Sequence, residues 1–431
     1  MLCSNLSRRF IVASSLLLCL LQSSCSKQWL DKKSEDKTDS KAPSVPEEEA
    51  QPPIDVTAAQ FRCEHMEGEA SNVYGCLVLI KGKKVLETTF SELYVLGPDA
   101  ERYKIDSFKI ADADSKFSII VEIPQELVGK TFNFEAAFAI QGSTRSLYSC
   151  PDGYVFVPGD PVFNTDDFCV MKYEAKEIEQ DGKRVIRSRP DGELMQLQVG
   201  SIEDAKTLCS GIGSGFSWMN NAEWMTIAAN IASNDENWSG GKVGEGTINK
   251  GHSDGFPNAY INASSDDRPY EGTMNDGEAG PLDWSQKRTH VLTNGDIIWD
   301  LSGNAKEFLD TKFEDVAVPS FGKQFEYVEI NQVNDETATK AVPASFIRPT
   351  SKTHPWWDDH WDSNQGLGKY YPSTCDGKLS PSVSLGFLAR GGVFGTKDTS
   401  AVGIFEFVVV ELYDTDPFEN AGLFRCVFRS K

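Results

Sequence analysis

A run of apolar and small residues at positions 10–21 (FIVASSLLLCLL), preceded by Arg8 and Arg9, constrains this chain more than any other feature. Such a run is too short to span a bilayer stably and has the layout of an export signal. The chain beyond it therefore folds in an oxidising compartment, where cysteines are expected to pair. Residues 1–24 read as the signal. Residues 26–54 are dominated by Lys, Asp, Glu, Ser and Pro and end in PSVPEEEAQPP. They have no apolar face to bury, so 25–54 reads as an extended, disordered tether.

Ser23 and Ser24 precede Cys25 with little side-chain bulk, as a signal peptidase requires. This stretch resembles the lipobox of bacterial lipoproteins, whose cysteine is acylated and becomes the mature N-terminus. Gln22 stands where the lipobox usually has Leu, and Leu21 lies one step further out. The resemblance implies a membrane anchor at Cys25, with each buried CH2 of an acyl chain contributing about 0.8 kcal/mol. Ser26 follows, not the aspartate of inner-membrane retention, so the expected location is the cell envelope, at the outer membrane rather than the inner.

Lys plus Arg is 42 against 64 Asp plus Glu, a net charge of −22. That field repels phosphate backbones, so no nucleic-acid partner is expected. Of ten cysteines, Cys3 and Cys19 lie in the signal; Cys25, Cys63, Cys76, Cys150, Cys169, Cys209, Cys375 and Cys426 remain. No CxxC and no Cys/His cluster at zinc spacing is present. With Cys25 acylated, seven thiols are left, an odd number.

The sequence past the tether divides into two textures. Residues 55–148 carry short β-branched and aromatic runs (CLVLIKGKKVLETTF, YKIDSFKIADADSKFSIIVEI, TFNFEAAFAI) separated by turn residues such as GPD and DADS. The pattern predicts an antiparallel, immunoglobulin-like β-sandwich of about seven strands, with Cys63 and Cys76 close enough to staple neighbouring strands. Residues 150–431 are rich in Gly, Asn, Asp and Trp. Helices are predicted at SIEDAKTLCSGI, capped by Ser201, and at NNAEWMTIAANIAS, capped by Asn220 or Asn221. Short strands are predicted at YVFVPG, FCVMKYEA, IIWDLS, FLARGGVF and LFRCVFR. The loops between them need fixing from outside, by disulfide or by metal. The expected fold class is α+β.

The segments VPGDPVFNTDDFCVMKYEAK, AKTLCSGIGSGFSWMNNAEWMTIAANI, NKGHSDG, RTHVLTNGDIIWDLSGNAKEF, ARGGVF and GLFRCVF occur in that order over 150–431. In this order they resemble the domain of the formylglycine-generating, or sulfatase-modifying, enzymes, an elaboration of the C-type lectin fold found also in exported bacterial lipoproteins. The resemblance implies an irregular α/β domain. It also implies a calcium-binding turn at WDLSGNAKEF, with side-chain ligands Asp300 and Glu307 and backbone carbonyls of Gly303 and Ala305. Two carboxylates and two carbonyls supply much of the six to eight oxygens that Ca2+ takes. Lys306–Glu307–Phe308 replaces the family's Trp–Glu–Trp. The resemblance further implies a Cys209–Cys426 disulfide, with Cys150–Cys169 as a second bridge, which leaves Cys375 unpaired.

The family's copper enzymes carry two cysteines shortly after an Arg–Gly–Gly motif, since Cu(I) requires soft thiolates. Here Arg390–Gly391–Gly392 is followed by VFGTKDTSAVGIFEF, with Thr396 and Ala401 where the thiols would fall. No copper and no catalytic residue is therefore expected. The histidine pattern of the family's iron branch is absent as well.

In THPWWDDHWD (353–362), His354, His360 and the aspartates match no known metal triad, and Trp356, Trp357 and Trp361 suit packing or, if exposed, stacking on a ligand. GHSDG (251–255) lacks a nucleophile elbow around Ser253, and SGGKVGEG lacks the setting of a phosphate loop. The leading expectation is a non-catalytic, lectin-like module for an unidentified glycan or protein, with ligand contacts at Arg390, Thr396, Lys397, Asp398, Trp357 and Trp361. The alternative is a metal-dependent oxidoreductase with substituted ligands, iron on His354, His360 and a carboxylate.

Overall fold

The computed structural model describes residues 59–66, 68–80, 83–84, 90–97, 101–106, 108–110, 119–140, 143–180, 182–198, 201–254, 257–273, 283–314, 327–329, 348–371, 385–395, 398–411 and 421–429. The expected signal (1–24), Cys25, the expected tether (25–54) and Cys375 lie outside these residues, as do Thr396 and Lys397. Pro53–Lys431 forms one compact unit. Within it the described residues are mostly short strands in several small sheets, with two α-helices, an α+β composition.

The alternation read in 55–148 produces nine strands among the described residues. Ala59–His65, Val73–Ile80, Ile119–Glu122 and Phe108–Ile110 pair antiparallel in one sheet, with Lys83–Lys84 added to Val73–Ile80. Arg102–Lys104, Phe90–Leu96, Asn133–Ile140 and Ser143–Tyr148 form a second antiparallel sheet. Burial alternates in Phe90–Leu96 and Ile119–Glu122, as strand geometry requires, with Leu93 and Val95, Ile119 and Val121 inside, while in Asn133–Ile140 the polar Asn133 and Glu135 are buried along with Phe134 and Ala136. The apolar ones, with Phe61 and Tyr74, share one cluster fed by both sheets. Cys63 and Cys76 stand directly opposite each other in register and are bonded. The strands beyond the expected seven are two- and three-residue pieces with too few positions to show a period.

Beyond Cys150, itself bonded to Cys169, a sheet runs in the order Tyr154–Val157, Phe168–Met171, Cys426–Phe428, Phe216–Trp218, so the C-terminus closes between early strands. A second sheet orders Glu307–Glu314, Leu385–Arg390, Phe407–Glu411, Lys369–Tyr371 and Val328–Glu329. The helix Asn221–Ala232 opens with a capping box, Asn220 accepting from the Glu223 N–H and Glu223 accepting from the Asn220 N–H. Ten of its twelve residues are buried, Trp224, Met225 and Ile227 among them, because it lies inside the core. The other helix starts later than predicted. It spans Asp204–Ser210 with no side-chain cap, since Ser201 belongs to the preceding turn.

The loops are fixed by neither metal nor disulfide alone. Buried asparagine and arginine side chains take up the backbone groups that irregular chain leaves unpaired. Asn237 Nδ2 donates to the carbonyls of Ile231 and Val291, and Asn249 Nδ2 to those of Lys287 and Thr289. Arg288 donates to the carbonyls of Ile261, Asn262 and Glu271. Arg425 does the same for Met171, Lys172 and Trp299.

Candidate functional site

Two turns meet at the centre of the larger part. In WDLSGN, Asp300, Gly303 and Asn304 adopt φ of 52°, 80° and 57°, a left-handed backbone that Asp and Asn tolerate better than other side chains. The diglycine turn lies against it: the Gly303 N–H donates to the Gly391 carbonyl at 2.7 Å, and the Phe394 N–H to the Asn304 carbonyl at 3.2 Å. Gly391 and Gly392 have φ of 90° and 77°. A Cβ on Gly391 would stand 2.8 Å from the Leu301 carbonyl oxygen, and one on Gly392 would stand 2.3 Å from Glu406 Oε2. Only glycine fits both places.

Beneath the turns lie six charged side chains, each no more than 2 % exposed: Glu174, Asp300 and Glu307 against Lys176, Arg288 and Arg425. Asp300 accepts from Arg288 through both oxygens, at 2.8 and 2.6 Å. Both oxygens of Glu307 accept from Arg425 Nε, at 2.9 and 3.1 Å. The two carboxylates expected to hold calcium are thus engaged by guanidinium groups, which supply the positive charge and occupy the lone pairs that an ion needs. As placed, this donor set does not fit Ca2+. Among the described residues no three His, Cys, Asp or Glu side chains gather as metal ligands.

Glu174 Oε2 accepts from Asn304 Nδ2 at 2.8 Å, while its Oε1 accepts nothing among the described residues. Burial, reinforced by Asp300, holds its carboxyl far above the usual carboxylate range. Burial also raises Glu307 to about 7 against the opposing pull of Arg425. Glu406, beside Gly392, is raised by burial to about 8, with Lys306 opposing. Sequence reasoning missed Glu174, Lys176 and Glu406. Glu174 stands in FCVMKYEA, which reads as an ordinary strand, and no motif marks Lys176 or Glu406.

The sign of the pH effect of Glu406 follows from its raised value. Between about pH 4.5 and 8 the folded protein keeps a proton that the unfolded chain has lost, so stability is full below that window and falls as pH rises through it, by at most about 1.4 kcal/mol per pH unit. Glu406→Gln is expected to flatten this fall. Urea unfolding at the two ends of the window reads it, and parallel declines in both proteins would refute it.

The expected ligand contacts divide. Arg390 is 1 % exposed; its Nε donates to Asn221 Oδ1 at 2.8 Å and its Nη1 to the Phe405 carbonyl at 3.1 Å. Trp357 and Trp361 are 3 % and 9 % exposed, packed edge-on at 5.0 Å within the core. Burial removes these three from contact with a surface ligand. Their size and apolar partners explain it: the aromatic segment fills a corner against Trp238 and Phe405. Asp398 does reach solvent, ion-paired with Lys369 at 3.0 Å. Ser400 shares the same lysine at 2.7 Å, and Lys250 Nζ donates to the Thr399 carbonyl nearby. This edge is polar, mixed in charge and able to hydrogen-bond.

The two histidines of the aromatic segment face different surroundings. His354 is buried against Phe163, its Nε2 2.9 Å from Asp160 Oδ2. The His360 side chain is 95 % exposed and meets Asp358. They form no joint site. His252 is buried, stacked on Phe394, with Nε2 3.0 Å from the Ala259 carbonyl; it shapes a loop.

No family model matches this sequence, and no curated protein matches it either.

Proposed function

We propose that this chain is an exported envelope lipoprotein, tethered to the membrane through acylated Cys25 and residues 25–54. Its body is an immunoglobulin-like β-sandwich followed by a sulfatase-modifying-factor-like domain that binds a glycan or protein ligand without catalysing a reaction. One observation carries the non-catalytic reading. Asp300, Glu307, Arg288 and Arg425 at the centre are spent on one another and on backbone carbonyls, and the diglycine arginine is locked to Asn221 and Phe405. Chemistry needs a group free to act on a substrate; binding needs only a rigid frame and a polar edge. The Asp398–Lys369–Ser400 edge supplies the latter.

The test uses the mature lipoprotein extracted in detergent. An alkyne-bearing fatty acid fed to expressing cells is expected to label the wild type and not Cys25→Ser. A glycan array and elemental analysis of the same preparation follow, with glycan binding weakened by Asp398→Ala and no stoichiometric metal expected. Stoichiometric iron or copper would favour the oxidoreductase alternative, and stoichiometric calcium would overturn the role given to the two arginines.

A further inference from the structure

Lys176 is the least expected of the six buried charges. Its side chain is fully buried, yet it forms no ion pair among the described residues. Its Nζ donates instead to Asn262 Oδ1 at 2.9 Å. Burial lowers its basicity, against the opposing fields of Glu174 and Asp300. Desolvation shifts such a lysine toward its neutral amine, the form that acts as a nucleophile.

The partner asparagine is held in place. Arg288, fixed by Asp300, donates to the Asn262 carbonyl at 2.8 Å and to the Ile261 carbonyl at 3.0 Å. Asn304 Oδ1 accepts from the Ile261 N–H at 2.9 Å, and Asn262 Nδ2 donates to the Gly192 carbonyl at 3.1 Å. The carboxamide is clamped with its oxygen on the amine. Holding an amine within about 3–3.5 Å of an acyl group is the condition for intramolecular reaction, since the entropy of bringing them together is already spent. A buried carboxylic acid belongs to the same network. Glu174 is tied through Asn304 to Ile261, the residue before Asn262, and its Oε1 is unoccupied among the described residues.

We infer that Lys176 and Asn262 join in an intramolecular isopeptide bond. Lys176 Nζ attacks Asn262 Cγ, forming the new C–N bond while the C=O electrons move onto Oδ1. The C–Nδ2 bond then breaks as the C=O re-forms, and Nδ2 leaves as ammonia with a proton given up by the attacking amine. Glu174, a member of the same network with its Oε1 unoccupied among the described residues, is the relay we assign to that proton. The exchange of one amide for another is redox-neutral and needs no co-reactant. Asn262 is exposed, so ammonia has a path to solvent. The product ties together two segments 86 residues apart in sequence.

Mass spectrometry of the reduced, alkylated full mature chain tests this. The expected intact mass is below that of the sequence by about 17 Da, one ammonia. Trypsin should leave the chain uncut after Lys176 and yield a branched peptide joining that segment to the one holding Asn262. Lys176→Arg and Asn262→Ala should each abolish the deficit. Asn262→Asp keeps the shape and the acyl group, so it should still form the branched peptide, now with loss of water, about 18 Da. Glu174→Gln should slow formation by about a hundredfold or more in a time course after synthesis, the usual contribution of a positioned acid–base group. Wild-type protein of full mass with separate peptides overturns the inference. So does a deficit that maps elsewhere, such as to Asn294–Gly295.

Discussion

Removing the Cys209–Cys426 bridge, by Cys209→Ala with Cys426→Ala, is expected to lower the unfolding free energy by about 5 kcal/mol. The bridge closes 217 residues, and in the chain-entropy account the freedom restored to the unfolded chain grows with the logarithm of loop length. Both cysteines are fully buried in the cluster formed with Trp218, Phe308 and Phe424, so alanine adds a small packing loss in the same direction. The Cys63–Cys76 bridge closes only 13 residues, and its removal should cost less, about 3 kcal/mol. Urea unfolding of the two double variants checks the order. A larger loss from the short loop would mean that local strand pairing, and not loop entropy, sets the contribution of these bridges.

Much of the fold is written locally in the sequence and is therefore legible there. Short apolar runs mark strands such as Phe168–Met171 and Leu385–Arg390, and Asn220 with Glu223 three positions on marks the start of the central helix. Ser201 misled because a good capping residue is only permissive; the chain turns once more before the helix begins at Asp204. The centre was not legible, because its meaning lies in pairs far apart in sequence. A carboxylate on a tight turn looks alike whether its counter-charge is calcium or a guanidinium. Nothing near Glu307 announces Arg425, which is 118 residues away. Trp357 and Trp361 suffer a similar ambiguity, since flat aromatic faces serve packing and ligand stacking equally; only burial decides. Lys176 and Asn262, 86 positions apart, carry no local pattern at all.

Arg425→Met is expected to destabilise the protein by about 3–5 kcal/mol, because it strands a buried carboxylate. Arg425 is fully buried, as is Glu307, which it meets through Nε. Its other two nitrogens carry the carbonyls of Met171, Lys172 and Trp299, so one side chain joins the strand Phe168–Met171, the turn after Trp299 and the C-terminal segment. Methionine fills similar volume, which isolates the loss of donors from the loss of packing. Glu307→Gln keeps an acceptor for Nε and removes one charge, so it should cost less than Arg425→Met. Replacing both together should cost less than the two single losses summed, because the stranded charge is counted once in each single variant. The three orphaned carbonyls should keep the double variant below the wild type. The Glu307 carboxyl, already raised to about 7 with the arginine in place, should rise further in Arg425→Met, so this variant should lose stability more steeply than the wild type as pH rises. Urea unfolding across pH measures both effects. If Arg425→Met cost under about 1 kcal/mol, in the range of a surface ion pair, the buried arginines could not be what stands in place of a metal at this turn.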